Sequence, residues 1–181
     1  MKIQVGSKAP DFMVNDQDGN PVKLSDLKGK KVVLYFYPKD MTEGCTAQAC
    51  NLRDNYKLML KQGYEVLGVS TDDEKLHKKF IAKEKLPFRL LADTDKKLHD
   101  AYGTWGEKSM YGRKYMGTLR TTFVIDEKGM IEEIIEKVNT KDHTSQILKD
   151  IKTAPKAATP QKSPVKKTAA KVAKKAAKKK H

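Results

Sequence analysis

An apolar segment that runs directly into two closely spaced cysteines constrains the fold of this chain more than any other feature. Lys31–Tyr37 is rich in β-branched and aromatic residues and has the length of a buried strand. Pro38 ends that strand, and Gly44 allows a turn. The segment that follows has helical spacing of apolar residues. Cys45 therefore falls near the start of the predicted helix, and Cys50 lies within it. Unpaired backbone N–H groups and the helix dipole favour an anion there. We therefore expect the Cys45 thiol to ionise readily to the reactive thiolate.

The positive charge of the chain is concentrated at its end. Ten lysines and no acidic residue lie in residues 154–181, so that of the formal net charge of +14 only +4 belongs to residues 1–153. The first 153 residues are long enough for one domain with a proper core. Residues 154–181 consist almost wholly of Ala, Lys, Pro, Ser, Thr and Val and are too polar to fold alone. The sequence predicts one domain over residues 1–153 and a disordered basic tail over residues 154–181.

The number and spacing of the cysteines limit the roles that they can have. Two cysteines in 181 residues do not make a disulfide-rich scaffold. They form neither a C-x-x-C pair nor half of a four-ligand set, so we expect no metal site. No stretch approaches membrane-spanning length, and Met1–Lys8 has no apolar segment of the kind found in signal peptides. The expectation is a cytoplasmic protein without membrane contact, whose cysteines have a redox or catalytic role.

Strand and helix signals alternate along the rest of residues 1–153. Asp18-Gly19 predicts an N-terminal hairpin, and Gly103–Gly117 is expected to be a long glycine-containing loop. Gly63 is expected to end the cysteine helix. This alternation predicts an α/β fold with a mixed central sheet flanked by helices. The further segments are strands near Tyr64–Ser70, Arg89–Leu91, Thr121–Ile125 and Met130–Val138, and helices near Asp72–Lys85, Thr94–Tyr102 and Thr140–Ile151.

Helix geometry limits what the two cysteines can do together. On one regular helix, five residues advance about 7.5 Å and turn roughly 140° beyond a full circle, so the two Cα atoms would lie about 8–9 Å apart. A disulfide needs Cα atoms within about 7 Å. A permanent disulfide between Cys45 and Cys50 is therefore not expected, whereas a transient one would require the helix to unwind locally.

The segment Pro38-x-x-x-Thr42-x-x-Cys45 resembles the active-site motif of the peroxiredoxins. The second cysteine, Cys50, five positions on, resembles the bacterioferritin-comigratory (PrxQ) subfamily. The resemblance covers essentially residues 3–150 and implies a thioredoxin-like fold. Glu43 and Gln48 depart from it, standing where the family usually has proline and commonly glutamate, and neither is expected to carry the main chemistry. Further matching segments are Gly6–Phe12, Gly68–Ser70 and Gly117–Phe123.

The resemblance implies a role for each motif residue. Cys45 would attack the peroxide and become a sulfenic acid, and Thr42 would hold the peroxide through its hydroxyl. Arg120 would supply a fixed positive charge, and Pro38 would shield the site. Cys50 would resolve the sulfenic acid as an intramolecular disulfide, which thioredoxin or a similar dithiol protein would reduce. The substrates would be hydrogen peroxide and organic hydroperoxides, no cofactor would be needed, and a monomer would suffice.

Each of these residues also has a purely structural interpretation. Either cysteine could be a small buried apolar residue, Thr42 an N-cap, and Arg120 a surface charge. His77, His99 and His143 are expected to be surface or structural histidines and not catalytic partners. An alternative function is a nucleic-acid-associated redox sensor or relay built on a thioredoxin-like body.

The basic tail allows two interpretations. Thr159-Pro160-Gln161-Lys162 and Ser163-Pro164-Val165-Lys166 resemble the Ser/Thr-Pro-x-Lys elements of histone H1-like tails. The tail either keeps the protein soluble without a specific partner or binds DNA, or another polyanion, without sequence specificity. The second interpretation would place part of the protein on the nucleoid.

Overall fold

The computed structural model describes residues 2–148, and a mixed five-stranded sheet lies at its centre. The helices in the described range are α1 Glu43–Asp54, α2 Tyr56–Lys61, α3 Glu74–Glu84, α4 Lys97–Tyr102 and α5 His143–Ile147. The strands are β1 Met13–Asn15, β2 Pro21–Lys23, β3 Lys31–Phe36, β4 Tyr64–Ser70, β5 Arg89–Ala92, β6 Trp105–Met110, β7 Arg113–Thr118, β8 Thr121–Ile125 and β9 Ile131–Ile135.

The strand order of the central sheet is β5-β4-β3-β8-β9. β3, β4 and β5 run parallel, whereas β8 is antiparallel to β3 and β9 is antiparallel to β8. β3 lies in the middle, and its residues from Val32 to Phe36 are buried on both faces, as expected of a near-continuous apolar strand. The predicted mixed sheet flanked by helices is confirmed.

Alternate residues of β3 point into two separate cores. Val33 and Tyr35 pack under α1, α2, α3 and α5, together with Cys45. Val32, Leu34 and Phe36 pack on the opposite face, against α4 and the N-terminal segment. That N-terminal segment contains the predicted hairpin, β1 paired with β2, and a short 3-10 helix, Leu24–Leu27.

The segment predicted as a long loop is a β-hairpin, so that prediction was wrong. β6 and β7 pair antiparallel in register from Trp105 with Thr118 to Met110 with Arg113. The intervening Tyr111 and Gly112 both have positive φ, 51° and 77°, as a two-residue hairpin turn of the I′ kind requires. The strands of this hairpin are mostly exposed and polar, so they lack the apolar alternation by which a strand is recognised.

Two helices also differ from expectation. The cysteine helix does not run unbroken to Gly63, because α1 ends at Asp54 and α2 begins after Asn55, whose side-chain amide donates to the Asn51 carbonyl at 2.8 Å. The helix predicted over residues 140–151 begins at His143 in the described range. Its predicted end at Ile151, the domain boundary after residue 153 and the predicted disordered tail lie outside the described residues.

The three histidines within the described residues are buried structural residues. His77, His99 and His143 are each fully buried, and each ring nitrogen of each histidine has a hydrogen-bond partner. Within residues 2–148, no helix is both long and apolar enough to span a membrane.

Candidate active site

A short loop between β3 and α1 carries two of the predicted site residues. Pro38, at its start, is half-buried, and Thr42, at its end, is exposed and occupies the N-cap position of α1. The Thr42 side chain does not cap the helix; its hydroxyl donates to the Lys39 carbonyl at 2.9 Å. Thr42 is therefore an N-cap by position, as its structural interpretation expected, but it makes no side-chain capping bond. The hydroxyl instead lies at the surface, on the loop that leads into the helix.

Cys45 is the third residue of α1, near the helix start as the sequence predicted, and only 1% of it is exposed. The Arg120 guanidinium reaches it from the segment between β7 and β8, and Nη2 donates to the Cys45 sulfur at 3.3 Å. A fixed cation at hydrogen-bond distance and the positive end of a helix dipole both stabilise negative charge at this position. The structure thus brings together two predicted site residues that are 75 positions apart in sequence.

Gln48 orients the arginine, a contact that the sequence analysis did not assign. Its side-chain oxygen accepts a hydrogen bond from Arg120 Nη1 at 2.6 Å, and the residue is fully buried. Gln48 follows Cys45 by three positions, and residues three apart on a helix share a face. That spacing was the available signal. Because the partner is a neutral amide, the Arg120 charge is not neutralised by it.

A second cation comes from the β6–β7 hairpin, the segment that the sequence predicted to be a loop. The Lys108 ammonium donates to the Thr118 carbonyl at 3.0 Å. Burial lowers the pKa of Lys108, and the nearby Arg120 charge lowers it further, whereas Cys45 raises it. The hairpin therefore adds positive charge to the surroundings of the cysteine.

Cys50 lies on the same helix in a different environment. It is half-buried and is not bonded to Cys45, and its thiol donates to Glu84 Oε2, at the end of α3, at 3.5 Å. Burial raises the pKa of the Cys50 thiol, and the hydrogen bond to Glu84 raises it further, while Arg53 lowers it. One turn along α1, Arg53 donates to the Glu84 backbone carbonyl at 2.6 Å. The second half of α1 is thus fastened to the end of α3.

No group of three or more His, Cys, Asp or Glu side chains within the described part of the chain could hold a metal ion. The chemistry available at Cys45 is that of a nucleophilic sulfur beside a guanidinium. Such a sulfur can attack an electrophilic atom whose leaving group acquires negative charge.

Comparison with known proteins agrees with this chemistry. Residues 5–134 match the model of the AhpC/TSA family. The chain is 46% identical to Peroxiredoxin Bcp of Bacillus subtilis over 149 residues, which cover 82% of this chain and 95% of that protein. It is 45% identical to Peroxiredoxin Bcp of Escherichia coli over 146 residues, which cover 81% and 94%. A bacterioferritin comigratory protein structure from Xanthomonas campestris superposes with a TM-score of 0.74 at 31% identity, covering 81% of this chain and 96% of that one.

The range matched by the family model includes the helix that carries both cysteines. They confirm the family and the thioredoxin-like fold that the sequence motif implied. The chain belongs to the peroxiredoxins of the AhpC/TSA family, in the Bcp/PrxQ subfamily, and is a peroxidase.

Proposed function

We propose that this chain reduces hydrogen peroxide and organic hydroperoxides through a sulfenic acid on Cys45. The observation that carries the proposal is the Arg120 guanidinium at 3.3 Å from a buried cysteine sulfur at the start of α1. The X. campestris neighbour is described for its alkyl peroxide reduction activity, which supports organic hydroperoxides as substrates.

The first step transfers one oxygen atom to sulfur. The Cys45 thiolate attacks the terminal peroxide oxygen, the O–O bond breaks, and Cys45 becomes a sulfenic acid while an alkoxide or hydroxide leaves and takes up a proton. Arg120 stabilises both the thiolate and the negative charge that develops on the leaving oxygen. Thr42 holds the peroxide through its hydroxyl, and Pro38 shields the sulfur from water.

The second step closes a disulfide within the chain. The Cys50 sulfur displaces the hydroxyl of the Cys45 sulfenic acid, which leaves as water once the Cys50 proton is transferred to it. Because the two Cα atoms of a regular helix are about 8–9 Å apart at this spacing, α1 must unwind. Hydrogen exchange tests this step: amides of residues 43–52 should exchange faster in the disulfide form than in the reduced form, and equal protection would contradict it.

The third step needs an external dithiol, for which we propose thioredoxin. The dithiol donates two electrons, regenerates both cysteine thiols and leaves oxidised itself. A stopped-flow titration of the reduced protein with peroxide should consume one equivalent of peroxide per chain. Thioredoxin, its reductase and NADPH should then sustain turnover. Absence of the stoichiometric reaction would overturn the peroxide chemistry, whereas reaction without turnover would overturn only the reductant.

The tail supplies a second, separate proposal, non-specific attachment to DNA or another polyanion. It rests on the ten lysines and the absence of acidic residues in residues 154–181. If about half of these lysines engage phosphates, the log–log salt slope of binding should be roughly −4 to −5. Truncation after residue 153 should remove retention on DNA and leave peroxide turnover nearly intact. DNA binding that survives truncation would contradict the proposal.

The matched family favours the peroxidase over the alternative of a nucleic-acid-associated redox sensor. The monomeric state, the cytoplasmic location and an association with the nucleoid remain predictions. Sedimentation of the reduced and oxidised protein would test the first of these.

A further inference from the structure

A buried cluster of polar side chains lies behind the loop that carries Pro38 and Thr42, and the proposed mechanism makes no use of it. At its centre are Asp40, from that loop, and His77, from α3, whose side chains are 1% and 0% exposed. The two residues are 37 positions apart in sequence. Burying an ionisable pair so completely is costly unless every polar atom has a partner, so the hydrogen bonds of this pair report its protonation.

The polar atoms of the cluster form a continuous chain of short contacts. The Tyr37 hydroxyl donates to Asp40 Oδ1 at 2.6 Å, and Asp40 Oδ2 lies 2.7 Å from His77 Nδ1. The second ring nitrogen, Nε2, lies 3.1 Å from the Leu91 carbonyl oxygen. The Asp40 backbone N–H donates to Asp72 Oδ2 at 2.7 Å, so a second carboxylate faces the loop.

These contacts fix the number of protons on the pair. A backbone carbonyl can only accept, so His77 Nε2 must carry a hydrogen. A neutral imidazole would then present the lone pair of Nδ1 to an ionised carboxylate 2.7 Å away, and two acceptors repel at that distance. One further proton must therefore lie between Nδ1 and Oδ2. Whether it is drawn on nitrogen or on oxygen, the pair of Asp40 and His77 is electrically neutral.

The loop needs such an anchor because its backbone is strained. Met41, between Asp40 and Thr42, has φ of 61°, in the left-handed region that residues with a Cβ rarely occupy. Strained backbone of this kind persists only where its surroundings hold it. Here the residue before Met41 is fixed by its carboxylate and by its backbone N–H, and the residue after it is the N-cap of α1.

We propose that Asp40 and His77, by sharing one proton, are positioning residues that hold the Pro38–Thr42 loop and so set where the Thr42 hydroxyl stands relative to Cys45. The inference rests on the proposed peroxide chemistry at Cys45. Misplacing a substrate-holding group by about 1 Å can reduce a rate on the order of a hundredfold. The pair therefore controls reactivity with peroxide without touching the reacting atoms.

The test compares two replacements of Asp40. Asp40→Asn can accept from Tyr37 through its oxygen and donate through its amide to a neutral His77, so it should retain kcat/KM for peroxide to within about threefold. Asp40→Ala removes both bonds and should lower kcat/KM on the order of tenfold to a hundredfold, with the loss mainly in the reaction of peroxide with Cys45. A loss as large in Asp40→Asn as in Asp40→Ala, or no loss in either, would overturn the proposal.

A control separates positioning from loss of stability. Asp126 accepts two backbone N–H groups, from Lys128 at 2.9 Å and Met130 at 2.8 Å, in the β8–β9 turn. Asp126→Ala should destabilise the fold and leave kcat/KM of the folded protein unchanged. Should Asp40→Ala fail to fold, His77→Asn and His77→Leu give the same comparison, because only the asparagine can donate to Asp40.

A spectroscopic measurement reports the shared proton directly. The wild-type protein labelled with ¹⁵N at histidine should show a low-field proton resonance at the His77 ring that is absent in Asp40→Ala, and its absence in the wild type would contradict the proton count. The proposed peroxidase function has its own test, since it is overturned if wild-type Cys45 does not react with peroxide. If it reacts and Asp40→Ala reacts equally fast, only the positioning role fails.

Discussion

The two halves of α1 hold their cysteines in opposite electrostatic environments. Cys45, in the first turn, faces the Arg120 guanidinium at 3.3 Å, whereas Cys50 donates its thiol proton toward the Glu84 carboxylate at 3.5 Å. A cation favours the thiolate and a carboxylate favours the thiol, and only the thiolate is a nucleophile. One helix therefore holds one sulfur beside a cation and the other beside a carboxylate.

The difference matches the order of the proposed reaction. In the proposed reaction, peroxide must react with Cys45 first. Reaction at Cys50, which has no contact with Arg120, would form the sulfenic acid on the wrong cysteine. Cys50 is needed only after Cys45 is oxidised, and unwinding of α1 would take it away from Glu84. The contact with Glu84 and the bond from Arg53 to the Glu84 carbonyl hold the second half of α1 in place until then.

The largest effect is expected from Cys45→Ser, which removes the sulfur that faces Arg120. A serine hydroxyl is not ionised near neutral pH, so peroxide consumption should fall to the uncatalysed rate. Stopped-flow kinetics and a coupled turnover assay would measure this. Substantial turnover in the variant would place the chemistry at another residue.

Cys50→Ser should lose turnover but keep the first reaction. Cys45 should react once with peroxide at nearly the wild-type rate, then stall as a sulfenic acid that excess peroxide converts to the sulfinic form. Intact-protein mass spectrometry distinguishes the added oxygen atoms. A variant that continues to cycle with thioredoxin at the wild-type rate would show that Cys50 does not resolve the intermediate.

Arg120→Met should slow the reaction of Cys45 with peroxide by about 10²–10³-fold, the loss typical of removing one charged or hydrogen-bonding group from a transition state. Arg120→Lys is the matched control. It keeps the charge but cannot reach both Cys45 and Gln48 as the planar guanidinium does, so an intermediate rate is expected. Equal rates in wild type and Arg120→Met would remove the arginine from the mechanism.

The smallest effect is expected from Glu84→Gln, which removes the charge facing Cys50. Burial and the Glu84 hydrogen bond raise the pKa of Cys50. The protonated thiol therefore stabilises folded α1 below the ordinary thiol pKa, and this stabilisation is lost as pH rises through the raised pKa. Disulfide closure should accelerate with pH in the wild type. In Glu84→Gln the acceleration should begin at lower pH, with a change of roughly twofold to tenfold at a given pH.

Glu74→Gln, at the other end of α3, is the control for the Glu84 variant. Glu74 accepts from the Asn15 amide at 3.3 Å, a contact outside the cysteine helix. Its replacement should leave the pH profile of disulfide closure unchanged. Identical profiles for wild type and Glu84→Gln would show that the carboxylate does not hold Cys50 back.

Local signals in the sequence determined the fold class and the position of Cys45. The apolar strand before Pro38 and the helical spacing after Cys45 act within a few residues of one another, so their consequences can be predicted without knowing the rest of the chain. The same holds for the turn at Asp18-Gly19 and for the mixed sheet, since the alternation of strands and helices leaves few arrangements. The turn expected at Gly44 does not form, because α1 already begins at Glu43.

Tertiary structure decided which side chains meet. The sequence shows Arg120, Glu84 and His77 only as polar residues distant from the cysteines and from the Pro38–Thr42 loop. Packing of the sheet against α1 and α3 brings the first two to Cys45 and Cys50 and the third to Asp40. The hairpin over residues 105–118 was missed for a related reason, because its strands are held by pairing with each other and not by an apolar face. Contacts between residues distant in the chain depend on the whole fold, whereas propensity and spacing report only on neighbours.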